Sequence, residues 1–262
     1  MSMNLHPLNA GFVWQMPKPP YELVSPEQAQ TYREQGGFIL QDAFCEEELR
    51  NLIAALDPIE AAANEQLSAL PADQPSIGRA NEIVFRAHAV VQSDVAKAFA
   101  RHSILAQLCH DLIGPQVRLY WDQLVYKRPG TKQEFPWHQD NGYTFVAPQQ
   151  YLTCWVALND ATPDNGCPWI APGLHLQGTL KHRWTSLGFE CLESAPTNAQ
   201  PMPLQAGSVA VFSSLTPHRT GPNLTNQTRK AYILQYAPEG AVVYPRWGEP
   251  VVADNPLRQF KL

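Results

Sequence analysis

The spacing of apolar residues changes partway along the chain and divides it into a helical and a strand-rich part. Before residue 115, apolar residues recur at helical intervals, as in the segment from Leu49 to Leu56. The first helix has a clear start signal, because Ser25 suits the N-cap and Pro26 the first helical position. The predicted helices span residues 25–35, 45–70 and 95–113, with a short strand at residues 38–40.

From Val117 onward, apolar and polar residues alternate in short segments, which is typical of half-buried strands. Turn sequences such as Asp164-Asn165-Gly166 separate these segments. The predicted strands are residues 117–126, 137–140, 151–158, 169–171, 208–212 and 229–237. Many short strands after helices predict a mainly β fold with N-terminal helices, in which the core is a double-sheet jelly roll.

The length of 262 residues, without a break in composition, predicts a single domain. Residues 1–115 would form an N-terminal arm and helical buttress, and residues 116–240 the β core, with an irregular insertion at residues 181–203. The formal net charge of −5 argues against nucleic-acid binding. No apolar run approaches the ~20 residues of a membrane span, and the N-terminus lacks the pattern of a signal peptide. Five cysteines without a CxxC pair fit a reducing cytoplasm.

Two histidines and one aspartate are the candidate metal ligands. Within Trp137-His138-Gln139-Asp140, a strand would point the side chains of His138 and Asp140 to the same face and Gln139 away. His218 follows a later predicted strand and would supply the third ligand. Two imidazoles and one carboxylate leave coordination positions open, as in the facial triad of non-haem Fe(II) oxygenases. A His-x-Asp sequence alone is common by chance, so the interpretation depends on other segments.

Those other segments carry a family resemblance over residues 121–238. With the first motif included, they are residues 137–142, 151–160, 164–167, 172–175, 207–209, 217–223 and 229–232. In this order and spacing they closely resemble the phytanoyl-CoA dioxygenase family of Fe(II)/2-oxoglutarate-dependent oxygenases. The N-terminal Gly36-Gly37-Phe38-Ile39-Leu40 segment is also similar to that family, although less specifically.

The resemblance implies a double-stranded β-helix (a cupin-like jelly roll) in which His138, Asp140 and His218 hold Fe(II). His175 is the alternative third ligand, and otherwise is expected in a loop that lines the pocket. The co-substrate would be 2-oxoglutarate, and Arg229 would grip its far carboxylate through two charge-assisted hydrogen bonds.

Four further residues are expected at the co-substrate. Thr220 shares the face of His218, since it lies two positions further along. Gln123 and Lys127 belong to the strand before the first motif, and Trp155 belongs to the strand after it. The ordinary alternatives are that Trp155 is a core residue and that Lys127 is a charge at the rim of the sheet.

The implied activity is hydroxylation, or another oxidation, of an unactivated C–H bond of a small molecule, with consumption of O₂ and release of succinate and CO₂. Asp140 occupies the position at which related halogenases have a small residue, which disfavours halogenation. Tyr143, Phe145 and Trp169 are expected to line a mostly apolar substrate pocket. The acidic charge balance favours an uncharged or modestly polar substrate over an acyl-CoA thioester.

Two other interpretations remain open. A non-catalytic jelly-roll binding protein would keep the architecture without ever forming succinate. A cupin-like metalloenzyme would use the same scaffold without 2-oxoglutarate, so its turnover would not depend on Arg229. The sequence does not distinguish hydroxylation from desaturation or cyclisation, and it identifies neither the substrate nor the oligomeric state.

Overall fold

The structure is a computed structural model that describes residues 4–71, 74 and 76–262. Its helices are α1 (Pro26–Gln35), α2 (Glu46–Ser68), α3 (Ala89–Gln92), α4 (Asp94–Phe99), α5 (Ser103–Leu112) and α6 (Asp140–Tyr143). Its strands are β1 (Gly37–Leu40), β2 (Ile83–Ala87), β3 (Val117–Lys127), β4 (Phe135–His138), β5 (Phe145–Ala147), β6 (Leu152–Ala157), β7 (Pro168–Ile170), β8 (Arg183–Thr185), β9 (Gly188–Glu190), β10 (Gln200–Pro201), β11 (Val209–Ser213), β12 (His218–Thr220), β13 (Arg229–Pro238), β14 (Val242–Tyr244) and β15 (Val251–Val252). Residues Leu174–Gln177 form a 3₁₀ turn.

Two antiparallel sheets form the core of the fold. In the described residues the larger sheet has six strands in the order β1-β11-β6-β13-β3-β2, and the smaller has four in the order β10-β7-β12-β4. A further small sheet joins β15, β14 and β5, and β8 pairs with β9. The predicted mainly β fold, a jelly roll with N-terminal helices, is confirmed. No described helix is long and apolar enough to cross a membrane.

The larger sheet is covered on both faces. Leu152, Cys154 and Val156 of β6 share one buried core with Leu52 of α2 and Leu108 of α5. Because successive side chains of a strand point to opposite faces, the residues between them face the smaller sheet. The helices therefore cover one face of the larger sheet, and the opposite face is left to form the wall of a cavity.

The two long N-terminal helices begin with the predicted signals. The side chain of Ser25 accepts a hydrogen bond from the Gln28 N–H, and that of Gln28 accepts one from the Ser25 N–H. Helix α2 begins similarly, since the Glu48 carboxylate accepts the Cys45 N–H at 2.8 Å. Helix α1 ends at Gly36 with φ 86°, a conformation that favours glycine.

The prediction of one continuous helix at residues 95–113 is wrong. Residues 95–113 are instead the two helices α4 and α5, and α3 precedes them. Ser93 and His102 each use a side chain to accept a backbone N–H, from Ala96 and Ile104 respectively. Each therefore caps a new helix start, which apolar spacing alone does not reveal.

Residues 181–203 are also more regular than predicted. They contain the β8–β9 hairpin, in which Arg183 and Glu190 form an ion pair of 2.7 Å and Trp184 packs edge-on against Phe189 at 4.9 Å. The hairpin strands have three residues each, which is too short for an alternating pattern to be recognised.

We expect Leu52→Ala to lower the free energy of unfolding by about 2–5 kcal/mol, because Leu52 of α2 is fully buried in the core that α2 shares with the larger sheet. Urea denaturation followed by circular dichroism and by tryptophan fluorescence measures the effect. Leu224→Ala is the matched control, since Leu224 is 63% exposed and should change little. Two separated transitions would contradict the single-domain organisation.

Candidate metal centre

The pairing of β12 with β4 brings the two histidines together. His218 lies directly opposite His138 in the register, and their ring centroids are 4.1 Å apart. Both side chains are more than nine-tenths buried. Two residues separated by a long stretch of sequence thus present their imidazoles to one point at the end of the smaller sheet.

Asp140 completes the group by a different route from the one predicted. Strand β4 ends at His138, and Asp140 is the first residue of α6 rather than a strand residue. One ligand atom from each of His138, Asp140 and His218 nevertheless lies within 4.8 Å of the others. Among the residues described, this is the one group of at least three His, Cys, Asp or Glu side chains close enough to hold a metal ion.

The side chain of Gln139 points away from this group and fixes the turn between the two ligands. Its amide donates to the carbonyls of Gly178 at 2.9 Å and Leu215 at 2.6 Å, and its oxygen accepts the Leu180 N–H at 2.6 Å. Because the residue is fully buried, these hydrogen bonds replace those that water would make. The ligand-bearing turn is therefore held by three separate backbone groups.

Both imidazoles are prepared for coordination through Nε2. The Nδ1 atom of His138 lies 2.8 Å from the carbonyl of Pro136, and that of His218 lies 3.0 Å from the carbonyl of Thr216. An Nδ1–H donated to a carbonyl leaves the Nε2 lone pair free for a metal. Burial lowers the pKa of His138 to about 3 and that of His218 to about 4, so both are in the neutral, metal-binding form at pH 7.

Thr153 orients the third ligand. Its hydroxyl donates to Oδ2 of Asp140 at 2.5 Å, while Oδ1 lies 3.8 Å from Nε2 of His218. Burial raises the pKa of Asp140, and a bound cation would oppose this by favouring the carboxylate. The sequence analysis did not identify Thr153. The signal that could have identified it is its place in the predicted strand at residues 151–158, where alternation puts it on the same face as Trp155.

Arg229 is a buried cation without an acidic partner among the described residues. It is fully buried at the start of β13, and its Nη1 donates to the carbonyl of Val125 at 3.1 Å. Its Nε and Nη2 have no hydrogen-bond partner, and no carboxylate of the described residues lies within 4.0 Å. The guanidinium is 5.0 Å from the ring centre of Trp155. Burial lowers its pKa to about 10, so it stays charged at pH 7.

A buried cation with two free donors has the geometry of a site for a bidentate anion. Leaving a buried charge without a partner costs several kcal/mol, by an order-of-magnitude estimate. A carboxylate placed against Nε and Nη2 would accept two parallel charge-assisted hydrogen bonds. The residues present therefore fit a carboxylic acid at this position.

The metal ligands line a cavity of about 240 Å³ between the two sheets. Gln123, Trp155 and Thr220 line it as well, in keeping with their expected position. Lys127 does not line it. Its ammonium is buried and donates to the Thr220 hydroxyl at 3.3 Å and to the Gly221 carbonyl, and burial lowers its pKa to about 7. Lys127 thus connects the end of β3 in the larger sheet to β12 in the smaller sheet and is not a rim charge.

Aromatic side chains form much of the remaining wall. Tyr143 lies against His138, with ring centroids 5.4 Å apart, in line with the expectation for Tyr143. Other wall residues that the sequence analysis missed are Ile77, Phe85, Tyr120, Trp121, Phe135, Tyr151, Phe212, Ile233 and Gln235. The β3 members belong to the predicted alternating strand, but a register shift near Gln235 places Tyr120 and Trp121 together in the cavity.

The expectation that Trp169 lines this cavity is wrong. In the smaller sheet Ile170 pairs with His218, whereas Trp169 pairs with Arg219 on the opposite face. The Arg219 guanidinium lies 5.0 Å from the Trp169 ring centre, as expected of a cation–π contact. Trp169 therefore packs outside the cavity.

Phe145 and His175 also lie away from it. Phe145 stacks with His6 at 4.8 Å and lines a different pocket. The Nε2 atom of His175 lies 3.1 Å from the carbonyl of Arg33, beneath the N-terminal helix α1. His175 is consequently neither a third metal ligand nor a pocket residue in this structure.

The sequence matches one family model and several curated proteins. The family model described as phytanoyl-CoA dioxygenase (PhyH) matches residues 32–231. A methylphosphonate hydroxylase of Gimesia maris is 37% identical over 127 residues, covering 48% of this chain and 47% of that protein. A phytanoyl-CoA dioxygenase of Arabidopsis thaliana is 29% identical over 159 residues, covering 56% of this chain and 54% of that protein. The chain thus matches about half the length of these curated relatives.

The fold is shared with a solved enzyme. The non-heme alpha-ketoglutarate-dependent carbocyclase SnoK from nogalamycin biosynthesis superposes with a TM-score of 0.77 at 20% identity, covering 94% of this chain and all of that one. At this identity the likeness shows the architecture alone. The family model, in contrast, covers most of the sequence, including all the candidate metal ligands and Arg229. The chain therefore belongs to the phytanoyl-CoA dioxygenase (PhyH) family.

Proposed function

We propose that this protein is an Fe(II)- and 2-oxoglutarate-dependent dioxygenase that oxidises an unactivated C–H bond of a small molecule. The observation that carries the proposal is the buried Arg229. Its Nε and Nη2 have no partner among the described residues, and its guanidinium lies 5.0 Å from the ring centre of Trp155, which lines the cavity that holds His138, Asp140 and His218. A dicarboxylic co-substrate would satisfy the arginine at one end and reach the metal at the other. Membership of the family supports the same activity.

His138, Asp140 and His218 would hold the iron. Two neutral imidazoles and a carboxylate form the donor set of the facial triad, which leaves open positions for other ligands. Bound there, Fe(II) would supply O₂ activation coupled to oxidative decarboxylation of 2-oxoglutarate, with release of succinate and CO₂. Thr153 would hold the carboxylate of Asp140 towards the ion.

Arg229, Thr220 and Trp155 would bind the co-substrate. The far carboxylate would accept hydrogen bonds from Arg229 of the larger sheet, and the Thr220 hydroxyl of the smaller sheet would donate a further one. The Thr220 oxygen now accepts from Lys127 at 3.3 Å, which leaves its own proton free for such a bond. Gln123 lines the same cavity and is a candidate contact near the co-substrate.

The aromatic wall would place the substrate and exclude water. Tyr143 lies beside His138 and is held by the Phe189 N–H, which donates to the Tyr143 hydroxyl at 3.3 Å. A substrate carbon against Tyr143 would therefore lie near the metal ligands. Hydroxylation is the proposed outcome because Asp140 occupies the ligand position. The names of the relatives span hydroxylases and a carbocyclase, so desaturation and cyclisation belong to the same proposal.

The proposal includes a cytoplasmic location. This location suits the cysteine pattern, since a reducing compartment keeps both thiols and ferrous iron reduced.

The two alternative interpretations explain the site less well. A cupin-like enzyme that does without 2-oxoglutarate gives no reason for the free donors of Arg229. The intact group of His138, Asp140 and His218, together with Arg229, argues against a binding protein that has lost catalysis.

We expect anaerobic addition of Fe(II) and then 2-oxoglutarate to give the visible charge-transfer band of a chelated keto acid. His218→Ala should abolish the band, because it removes one of the proposed ligands. Absorption spectroscopy under anaerobic conditions measures it. His110→Ala is the control, since His110 lies on α5, and it should leave the band intact. Iron binding without any band would exclude the co-substrate.

We expect Arg229→Gln to raise the half-saturating concentration of 2-oxoglutarate about 100-fold, because a lost charged pair is worth about 3 kcal/mol. Succinate formation at varied 2-oxoglutarate measures the change. Arg229→Lys should fall between, since an ammonium keeps the charge but cannot form the fork. Unchanged saturation in both variants would favour the cupin-like alternative.

We expect Thr153→Val to weaken Fe(II) binding about tenfold, because Asp140 loses the hydroxyl that orients it. Competition with a chelating indicator measures the affinity, and urea denaturation of the metal-free protein separates this effect from stability. Thr185→Val, in the β8–β9 hairpin, is the control. Equal iron affinity in the Thr153 variant and the parent would rule out the orienting role.

A further inference from the structure

The turn between the first two metal ligands lies against a second segment of the chain, residues 178–182. Gln139, which stands between His138 and Asp140, is fully buried at the point where the chain leaves β4. Because Gln139 is outside the strand, its backbone N–H donates instead to Nε2 of His182 at 2.9 Å. This hydrogen bond joins positions 43 residues apart, so only the folded chain forms it.

Two further hydrogen bonds close a ring between the turn and residues 178–182. Nδ1 of His182 lies 2.9 Å from the carbonyl of Leu180, and the Leu180 N–H donates to the side-chain oxygen of Gln139 at 2.6 Å. Since a carbonyl can only accept and an N–H can only donate, Nδ1 of His182 carries the proton and Nε2 is the acceptor. Burial lowers the pKa of His182 to about 4, so the imidazole is in this neutral form at pH 7.

The imidazole of His182 also packs directly on the turn. Gly142 follows Asp140 by two positions, and a Cβ added at Gly142 would overlap the His182 ring. Gly142 is not among the glycines with positive φ, so the ring, and not the backbone, excludes a side chain there. The preceding Asn141 donates to the Thr179 hydroxyl at 2.7 Å. Successive residues of the turn are thus fitted to the same segment.

The outer edge of residues 178–182 is fastened to the N-terminal arm. The His6 N–H donates to the Thr179 carbonyl at 2.9 Å, and the Lys181 N–H donates to the Asn4 carbonyl at 2.8 Å. The segment is therefore held by the arm on one side and by the ligand-bearing turn on the other. A side chain can orient a functional group only when it is itself held in place, and the imidazole meets this condition.

His182 has no direct access to a metal ion. It is not among the residues that line the metal-binding cavity, and both of its ring nitrogens are already hydrogen-bonded. It can therefore act on the ligands only through the backbone between them. In metal sites, partners of this indirect kind commonly change the affinity although they never touch the ion.

We propose that His182 is a positioning residue of the metal centre. By accepting the Gln139 N–H, it holds the turn that joins His138 to Asp140 and keeps both ligands directed at one point. The reference to a metal rests on the proposed function. Because the hydrogen bond is present without the ion, the two ligands are arranged before a metal binds, and binding costs little reorganisation.

The test compares two substitutions that remove the imidazole and each keep one of its hydrogen bonds. The amide introduced by His182→Gln reaches the position of Nε2 and can accept the Gln139 N–H, whereas that of His182→Asn reaches only the position of Nδ1. Co(II) is titrated into the metal-free, full-length protein, and the visible absorption of the bound ion is recorded. Binding should be about tenfold weaker in His182→Asn, with an altered spectrum, and close to that of the parent in His182→Gln.

His110→Asn is the matched control, since His110 lies on α5, and it should bind Co(II) as the parent does. Urea denaturation of the metal-free variants measures any loss of stability separately. Equal Co(II) binding in His182→Asn and the parent would overturn the inference. Equal weakening in His182→Asn and His182→Gln would overturn it as well, because the ring would then act by packing alone.

A second experiment leaves His182 in place. Gly142→Ala should weaken Co(II) binding by displacing the imidazole, and the loss should be smaller in the His182→Asn background, where the shorter side chain leaves room. The same loss in both backgrounds would mean that Gly142 acts on Asp140 independently of His182, which contradicts the positioning role.

The keto-acid band separates this inference from the proposed function. If Co(II) binding is weakened by His182→Asn but Fe(II) and 2-oxoglutarate give no band in the parent, the oxygenase is overturned and the positioning role stands. If the band appears and His182→Asn binds Co(II) as the parent does, the positioning role alone is overturned. A parent protein that binds no Co(II) would overturn both.

Discussion

The larger sheet must be buried on both faces, and the rest of the molecule depends on how this is done. Helices α2 to α5 cover one face with aliphatic side chains, while the smaller sheet covers the other. Since a strand turns alternate residues to opposite faces, each core strand serves both purposes. Leu152, Cys154 and Val156 stabilise the fold, and Thr153 and Trp155 between them line the cavity of the candidate metal ligands. Stability and chemistry are thereby assigned to alternate positions of the same segment.

At Arg229, in contrast, one side chain that would serve binding is unfavourable for the stability of the empty protein. A packed apolar residue at this position would cost less than a guanidinium with two unpaired donors. The charge makes sense when an anion completes it, so part of the binding free energy of the co-substrate would compensate an unfavourable feature of the empty protein. Lys127 differs although it is equally buried, because its ammonium already donates to Thr220 and to backbone carbonyls.

The sequence predicted the fold class, most core strands and the order of the metal-ligand segments, because alternation and turn residues are local signals. It did not predict the division of residues 95–113, where the side chains of Ser93 and His102 begin new helices. Nor could it place Phe145, Trp169 and His175. Their faces depend on pairings such as Trp169 with Arg219 and on the packing of α1 over the 3₁₀ turn, which are long-range features.

Each imidazole is held by a carbonyl only two residues before it, Pro136 for His138 and Thr216 for His218. The orientation and tautomer of both rings are thus encoded within the ligand segments themselves and do not depend on the side chains of the cavity wall. Residues such as Phe85 and Trp121 can consequently be exchanged without removing either of these hydrogen bonds. Such a design separates the durable part of the site from the part that selects the substrate, and gives a lineage freedom to acquire new substrates on one unchanged centre.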